Sequence, residues 1–346
     1  MTNWKNLPFE MKCEVFKLLD KENRLKFASC NFQCFREIVH EEKDVKSVEL
    51  EKITEVGTIR PYFVVSVDGS EIRFEQIANM CEIKYDDYIL GRGFGKIENT
   101  VYKFFKNIWL KHRNTIEKLK LADVDFTIIQ DFSNIKELDI TTNNKIHLYH
   151  ILSGAANLTK LVVKFEEGER FKEVHLPKIA KCSKIDSVDL NCNAADVASE
   201  ILAKMYPANS AISRLNTSNL KLSINGGDYS EPDSRLLESL GRFANIETDL
   251  RLTDDQFVQL TSYPMIRNLK FDATDINTSV IIECLSTYVL KSRKYFKFNN
   301  FREWTQFKEL MKEKYGDPCK QNFEVGFHPF ILSIDNLRPH HHWKTS

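Results

Sequence analysis

Ile116-Glu117-Lys118-Leu119-Lys120-Leu121 carries apolar residues in its first, fourth and sixth slots and charges between them. The same phrase returns as Val45/Val48/Leu50, Ile135/Leu138/Ile140, Leu158/Leu161/Val163, Ile185/Val188/Leu190 and Ile266/Leu269/Phe271. A truncated copy is read at Ile212/Leu215, where Thr217 fills the last slot, and a degenerate one near Ile246/Leu250/Leu252. Starts at 116, 135, 158, 185 and 212 differ by 19, 23, 27 and 27, and the step from 212 to 266 is 54, two further repeats of 27. The last half of each phrase alternates apolar with polar, the period of a half-buried strand.

Helical periodicity fills the intervals. Val101 to Asn114 places Val101, Phe104, Phe105, Ile108 and Trp109 three and four residues apart. Further helices are predicted over 147–156, 196–206, 235–243, 254–263, 280–290 and 304–315. Strand alternating with helix at so short a period means parallel strands joined by helical crossovers, stacked as a solenoid. The periods approach the roughly 20 to 29 residues of a leucine-rich repeat, and the body resembles an irregular array of that kind.

Residues 42–100 form a bridging segment, of which 51–95 do not repeat. Tyr62 to Val67, then Asp68-Gly69, then Glu71 to Phe74 predicts a β-hairpin with an Asp-Gly turn, placed as a bridging element. Residues 101–338 form the repeat domain, with 327–334 as its final strand or cap, and 339–346 are a polar tail.

Residues 1–41 read differently. Pro8 suits a first helical turn, and Met11, Val15, Leu18 and Leu19 follow at helical spacing with Phe16 widening the apolar face. Asp20 is placed to cap a second helix carrying Leu25, Phe27 and Ala28, and a third holds Phe32, Phe35, Ile38 and Val39. Leu7, Pro8, Met11, Val15, Phe16, Leu18, Leu19 and Leu25 offer more apolar surface than so small a bundle can hide, which marks a partner site.

This head resembles the F-box. The matching residues are Leu7-Pro8-Phe9-Glu10, Val15-Phe16-Lys17-Leu18-Leu19-Asp20, Arg24-Leu25 and Phe35-Arg36. Two positions depart from the family pattern: Lys21 stands where many members have Pro, and Cys30 or Asn31 where an apolar residue is usual. The resemblance implies docking onto a Skp-family adaptor of a cullin ubiquitin ligase. An F-box before an irregular leucine-rich-repeat-like body resembles the large nematode family of F-box proteins with a C-terminal recognition domain. The expected fold is therefore α/β: a small three-helix F-box followed by an irregular leucine-rich-repeat-like solenoid.

If Leu119 and Leu121 point inward, Lys118 and Lys120 point outward. The outward residues down the array are then Lys118 and Lys120, Glu137 and Asp139, Lys160, Asp189, Arg214 and Lys270, alternating in charge from strand to strand. This face is the candidate surface for a protein target of mixed charge.

Composition narrows the alternatives. Lys plus Arg and Asp plus Glu both number 49, so no basic excess points to nucleic acid. No apolar run reaches the roughly 18 to 20 residues that span a bilayer. The first residues lack the apolar stretch of a secretory leader, and the eight scattered cysteines are read as reduced. The expected location is cytoplasmic or nuclear.

Gly91-Arg92-Gly93-Phe94-Gly95-Lys96 lacks the hydroxyl residue that follows a phosphate-loop lysine, since Ile97 stands there, and it is read as a flexible turn. His340-His341-His342 and the cysteines show no metal-site spacing, and no nucleophile elbow is present. No cofactor, metal or catalytic residue is expected. The alternative to a ligase receptor is a non-catalytic scaffold whose repeat array is the interaction surface.

Overall fold

The computed structural model describes Leu18, Asn23 and residues 44–55, 60–85, 88–124, 129, 131–165, 185–205, 219–224, 232–273, 275–284, 295–298, 309–310, 313, 323–326 and 331–334. They form a mixed α/β fold that divides into two compact units, the first ending at Leu158 and the second beginning at Thr159. Of the head, only Leu18 and Asn23 are described, both helical, so the three-helix reading of 1–41 otherwise lies outside the described residues.

In the first unit β1 (Ser47–Ile53) lies centrally. On one side it pairs in parallel with β6 (Lys118–Ala122), which pairs in parallel with β7 (Glu137–Thr142). On the other side runs an antiparallel meander: β2 (Tyr62–Val67), β3 (Ser70–Ile77), β4 (Met80–Tyr85) and β5 (Tyr88–Phe94). Register aligns Val48 with Leu119 and Val67, and Leu50 with Leu121 and Val65, so one sheet face is continuously apolar. Helix α1 (Ile97–His112) packs on that face, burying Val101, Phe104, Phe105, Ile108 and Trp109 at the predicted spacing. Phe104 meets Phe74 at 5.4 Å between ring centroids and Trp109 meets Phe132 at 5.8 Å. Each such aromatic contributes about 1.5 to 3 kcal/mol by leaving water. Helix α2 (Lys145–Gly154) follows β7 and buries Leu148, Ile151 and Leu152.

The Asp-Gly hairpin is present. Asp68 and Gly69 take φ of 47° and 82°, the left-handed pair that a tight hairpin needs. The Asp68 carboxylate also accepts from the backbone N–H groups of Lys46 and Ser47 at 3.0 and 2.7 Å, tying the turn to the start of β1. The meander extends further than the expected hairpin. The supposed flexible turn at Gly91–Lys96 is largely strand, since β5 runs to Phe94 and only Gly95, at φ 121°, makes the bend into α1.

In the second unit β8 (Lys160–Phe165), β9 (Ser187–Cys192), β10 (Asn219–Ile224), β11 (Asn245–Arg251), β12 (Asn268–Asp272) and β13 (Tyr295–Phe298) pair in parallel in chain order. Helices α3 (Ala195–Met205), α4 (Ser234–Leu240), α5 (Asp254–Ser262) and α6 (Thr278–Cys284) lie between or after them. The helix starts are defined chemically. Asp233 caps α4 by accepting from Leu236 N at 2.7 Å, and Thr253 with Gln256 forms a capping box on α5. The final strand is β15 (Ile331–Ile334), antiparallel to both β13 and β14 (Phe323–Gly326).

The copy read at Ile212/Leu215 lies outside the described residues; the described strand beside β9 is Asn219–Ile224, with Leu220 and Leu222 in the inward slots opposite Val188 and Leu190. The copy near Ile246 has Thr248, 2% exposed, in its second inward slot opposite Leu222, ahead of Leu250 and Leu252. The Thr248 hydroxyl accepts from Leu250 N at 3.1 Å, which gives a buried oxygen its partner. The strand then shifts register between Glu247 and Arg251.

Candidate functional site

The outward strand faces are the site that the sequence nominates, and their geometry follows from in-register pairing. In the first unit Ser47, Lys118 and Glu137 form one rung, and Glu49, Lys120 and Asp139 the next. Lys118 Nζ lies 2.9 Å from Glu137. Lys120 Nζ lies 3.1 Å from Glu51 and 3.7 Å from Glu49. Burial by itself would lower the Lys120 pKa, but the hydrogen bond to Glu51 and the charges of Glu51, Glu49 and Asp139 carry it above the usual lysine range. Below this rung Glu117 bridges Lys136 at 3.0 Å and Lys46 at 3.6 Å. The hydrogen bond from Lys136 is the main reason that the Glu117 carboxyl titrates below its ordinary value.

The meander carries a second network on its outward face. Glu82, 6% exposed, is flanked by Arg92 at 2.7 Å and Lys84 at 3.7 Å, and Lys84 also reaches Glu75 at 2.6 Å. Arg73 pairs with Glu75 and stacks over the Tyr62 ring at 3.7 Å. The Tyr62 hydroxyl donates to Glu55, which with partial burial raises its pKa.

In the second unit the corresponding rungs are Lys160, Ser187, Asn219, Asn245 and Asn268, then Val162, Asp189, Lys221, Glu247 and Lys270. The first contains an amide ladder: Asn245 donates to Asn219 at 2.9 Å, and Asn268 donates to Asn245. The second alternates in charge. Lys221 is 4.0 Å from Asp189, and Lys270 bonds Glu247. Ser187, Asn219, Lys221, Asn245, Glu247, Asn268 and Lys270 of these rungs line a shallow groove of about 280 Å³.

Of the nominated target-binding residues, Lys118, Lys120, Glu137 and Asp139 come together in the first unit, and Lys160, Asp189 and Lys270 lie on strands of the second. Arg214 lies outside the described residues, and the slot opposite Asp189 belongs to Lys221. Glu49, Glu51, Lys221, Glu247 and the asparagines complete the rungs and were not nominated. The repeated phrases Asn219-Leu220-Lys221 and Asn268-Leu269-Lys270 were the available signal. Most nominated charges are thus matched by a neighbouring strand, the physical origin of the alternation seen in the sequence.

Leu7, Pro8, Met11, Val15, Phe16, Leu19 and Leu25 of the nominated adaptor surface lie outside the described residues. Leu18 is described and is 85% exposed. Cys81, Cys192 and Cys284 are buried free thiols, and desolvation pushes the Cys81 thiol up to about 11, which keeps it protonated and unreactive. Among the described residues no cluster of His, Cys, Asp and Glu could hold a metal ion, and no helix is long and apolar enough to cross a membrane.

No protein-family model matches the chain, and no curated protein matches it significantly.

Proposed function

We propose that this chain is the substrate-receptor subunit of a Skp–cullin–F-box ubiquitin ligase: a small F-box followed by an irregular leucine-rich-repeat-like body. Leu18 carries the reading. It sits within the Leu-Pro-to-Phe-Arg pattern of residues 7–36, is helical and is 85% exposed, which supports its place in the apolar surplus of that pattern that a partner would cover. The head docks on the adaptor through Leu7, Pro8, Met11, Val15, Phe16, Leu18, Leu19 and Leu25. The outward strand faces then hold a protein target close to the ubiquitin-charged enzyme recruited elsewhere in the assembly. Rate enhancement comes from proximity, with no bond chemistry on this polypeptide.

The test is co-expression with a Skp-family adaptor and affinity capture of the full chain. Capture of the adaptor by wild type and its loss in Leu7→Ala/Pro8→Ala support the reading. Absence of the adaptor from the wild-type capture refutes it and leaves the non-catalytic scaffold reading in its place.

A further inference from the structure

A cleft of about 880 Å³ lies in the first unit where the β3–β4 turn, the end of β5 and the start of α1 meet. Its walls are pinned by one side chain. Gln76 donates from Nε2 to the carbonyls of Ala78 at 3.0 Å and Met80 at 3.1 Å, and its Oε1 accepts from Ile97 N at 3.0 Å. Gly95 N donates to Asn79 O at 3.2 Å, closing the other side. The cleft is therefore formed before anything enters it, which lowers the cost of binding.

The lining combines two kinds of unmet potential. Pro61, Phe94 and Ile97 give it an apolar wall, and Phe94 is 89% exposed. Cross-strand register sets Phe94 opposite Met80 and Met80 opposite Ile77, itself 42% exposed, so an apolar row runs out from the cleft across three strands. Arg60 and Lys96 supply positive charge. On the meander face Arg73, Lys84 and Arg92 are each paired with Glu75 or Glu82. By contrast, no acid among the described residues pairs with Arg60 or Lys96, and Arg60 donates a hydrogen bond to the Ala78 carbonyl at 3.4 Å. Glu98 also lines the cleft and leaves it with one net positive charge, too little for a polyphosphate and suited to a side-chain carboxylate.

We propose that this cleft binds an acidic peptide segment of a protein partner, with an aromatic or aliphatic side chain covering Phe94 and a neighbouring carboxylate meeting Arg60 and Lys96. The site lies outside the F-box pattern and does not require adaptor docking. It adds a peptide-recognition element to the outward strand faces.

The test pans a random peptide display library on the full chain and on a variant carrying Arg60→Glu and Lys96→Glu, then measures selected peptides by fluorescence anisotropy. Peptides pairing Asp or Glu with an aromatic or aliphatic residue are expected. Their affinity should fall at least about tenfold in the charge-reversed variant and in Phe94→Ala, whose exposed ring can be removed without disturbing the core. Adaptor capture by the same variants should be unchanged, so failure of the cleft and failure of the adaptor reading are distinguishable. Enrichment of the same peptides on wild type and variant overturns the proposal. So does absence of enrichment on wild type, or equal displacement of the peptides by inorganic phosphate or ATP alone at matched ionic strength.

Discussion

Reversing Lys120 separates a charge that serves the sheet from one held free for a target. Lys120 Nζ sits 3.1 Å from Glu51 and 3.7 Å from Glu49, and Asp139 faces it on the next strand. Its side chain is 37% exposed and those of its two ion-pair partners 38% and 44%, so each pair is partly screened by water. An exposed pair contributes about 0.2 to 1 kcal/mol. Losing two such pairs in Lys120→Gln should cost about 1 kcal/mol after that discount. Lys120→Glu adds repulsion of similar size, for about 2 kcal/mol in total. Urea denaturation should show a lower midpoint with an unchanged slope, and the deficit should shrink in about 1 M salt, where charges screen over roughly 3 Å. A double-mutant cycle of Lys120→Gln with Glu51→Gln should give a coupling of about 0.5 kcal/mol. The reasoning is refuted if the coupling is zero and Lys120→Glu is as stable as wild type. In that case Lys120 is free for a partner, as the sequence reading had it.

Three other perturbations follow from local geometry. His112 is 4% exposed, with no hydrogen-bond partner at Nε2 among the described residues, and burial followed by the Lys111 charge lowers its pKa from 6.5 despite Asp68 and Asp44 nearby. The folded chain therefore resists a proton that the unfolded chain accepts, so stability should decline as pH falls below about 6.5, and His112→Gln should flatten that decline in pH-dependent melting. Gly241→Ala would bring a Cβ within 2.6 Å of the Tyr263 ring and should destabilise by about 1 to 3 kcal/mol, measured by urea midpoint and relieved in part by Tyr263→Leu. Gly69→Val, at φ 82°, should cost at least about 1 kcal/mol by straining the hairpin, whereas Lys118→Gln, also at an exposed position, should cost less.

The parts of the fold legible in the sequence were those where one physical signal acted alone. The 116–121 phrase gave β6 because its apolar slots are all filled, and Asp68-Gly69 gave the hairpin because few residue pairs tolerate two positive φ values. Strands β4 and β5 were missed because their outward faces carry Met80, Ile89 and Phe94 among charges, and Gly91 and Gly93 mimic a loop. The Asn219–Ile224 strand was not read because Thr217 fills the first apolar slot of the phrase that continues with Leu220 and Leu222. The Thr248 slot was passed over because only its bond from Leu250 shows how a hydroxyl fits a core. In the candidate site, outward direction was readable from alternation. Which charges neutralise one another was not, because that depends on register between strands about 20 to 70 residues apart in the chain.

The proposed function is tested most directly by the affinity of the purified full chain for a Skp-family adaptor, wild type against Leu18→Asp. Leu18 is 85% exposed, so the substitution leaves the fold intact. The account predicts saturable binding by wild type and at least about a hundredfold loss in the variant, the cost of pressing a carboxylate into an apolar interface. Equal affinity of the two proteins, or no binding by wild type, would contradict it.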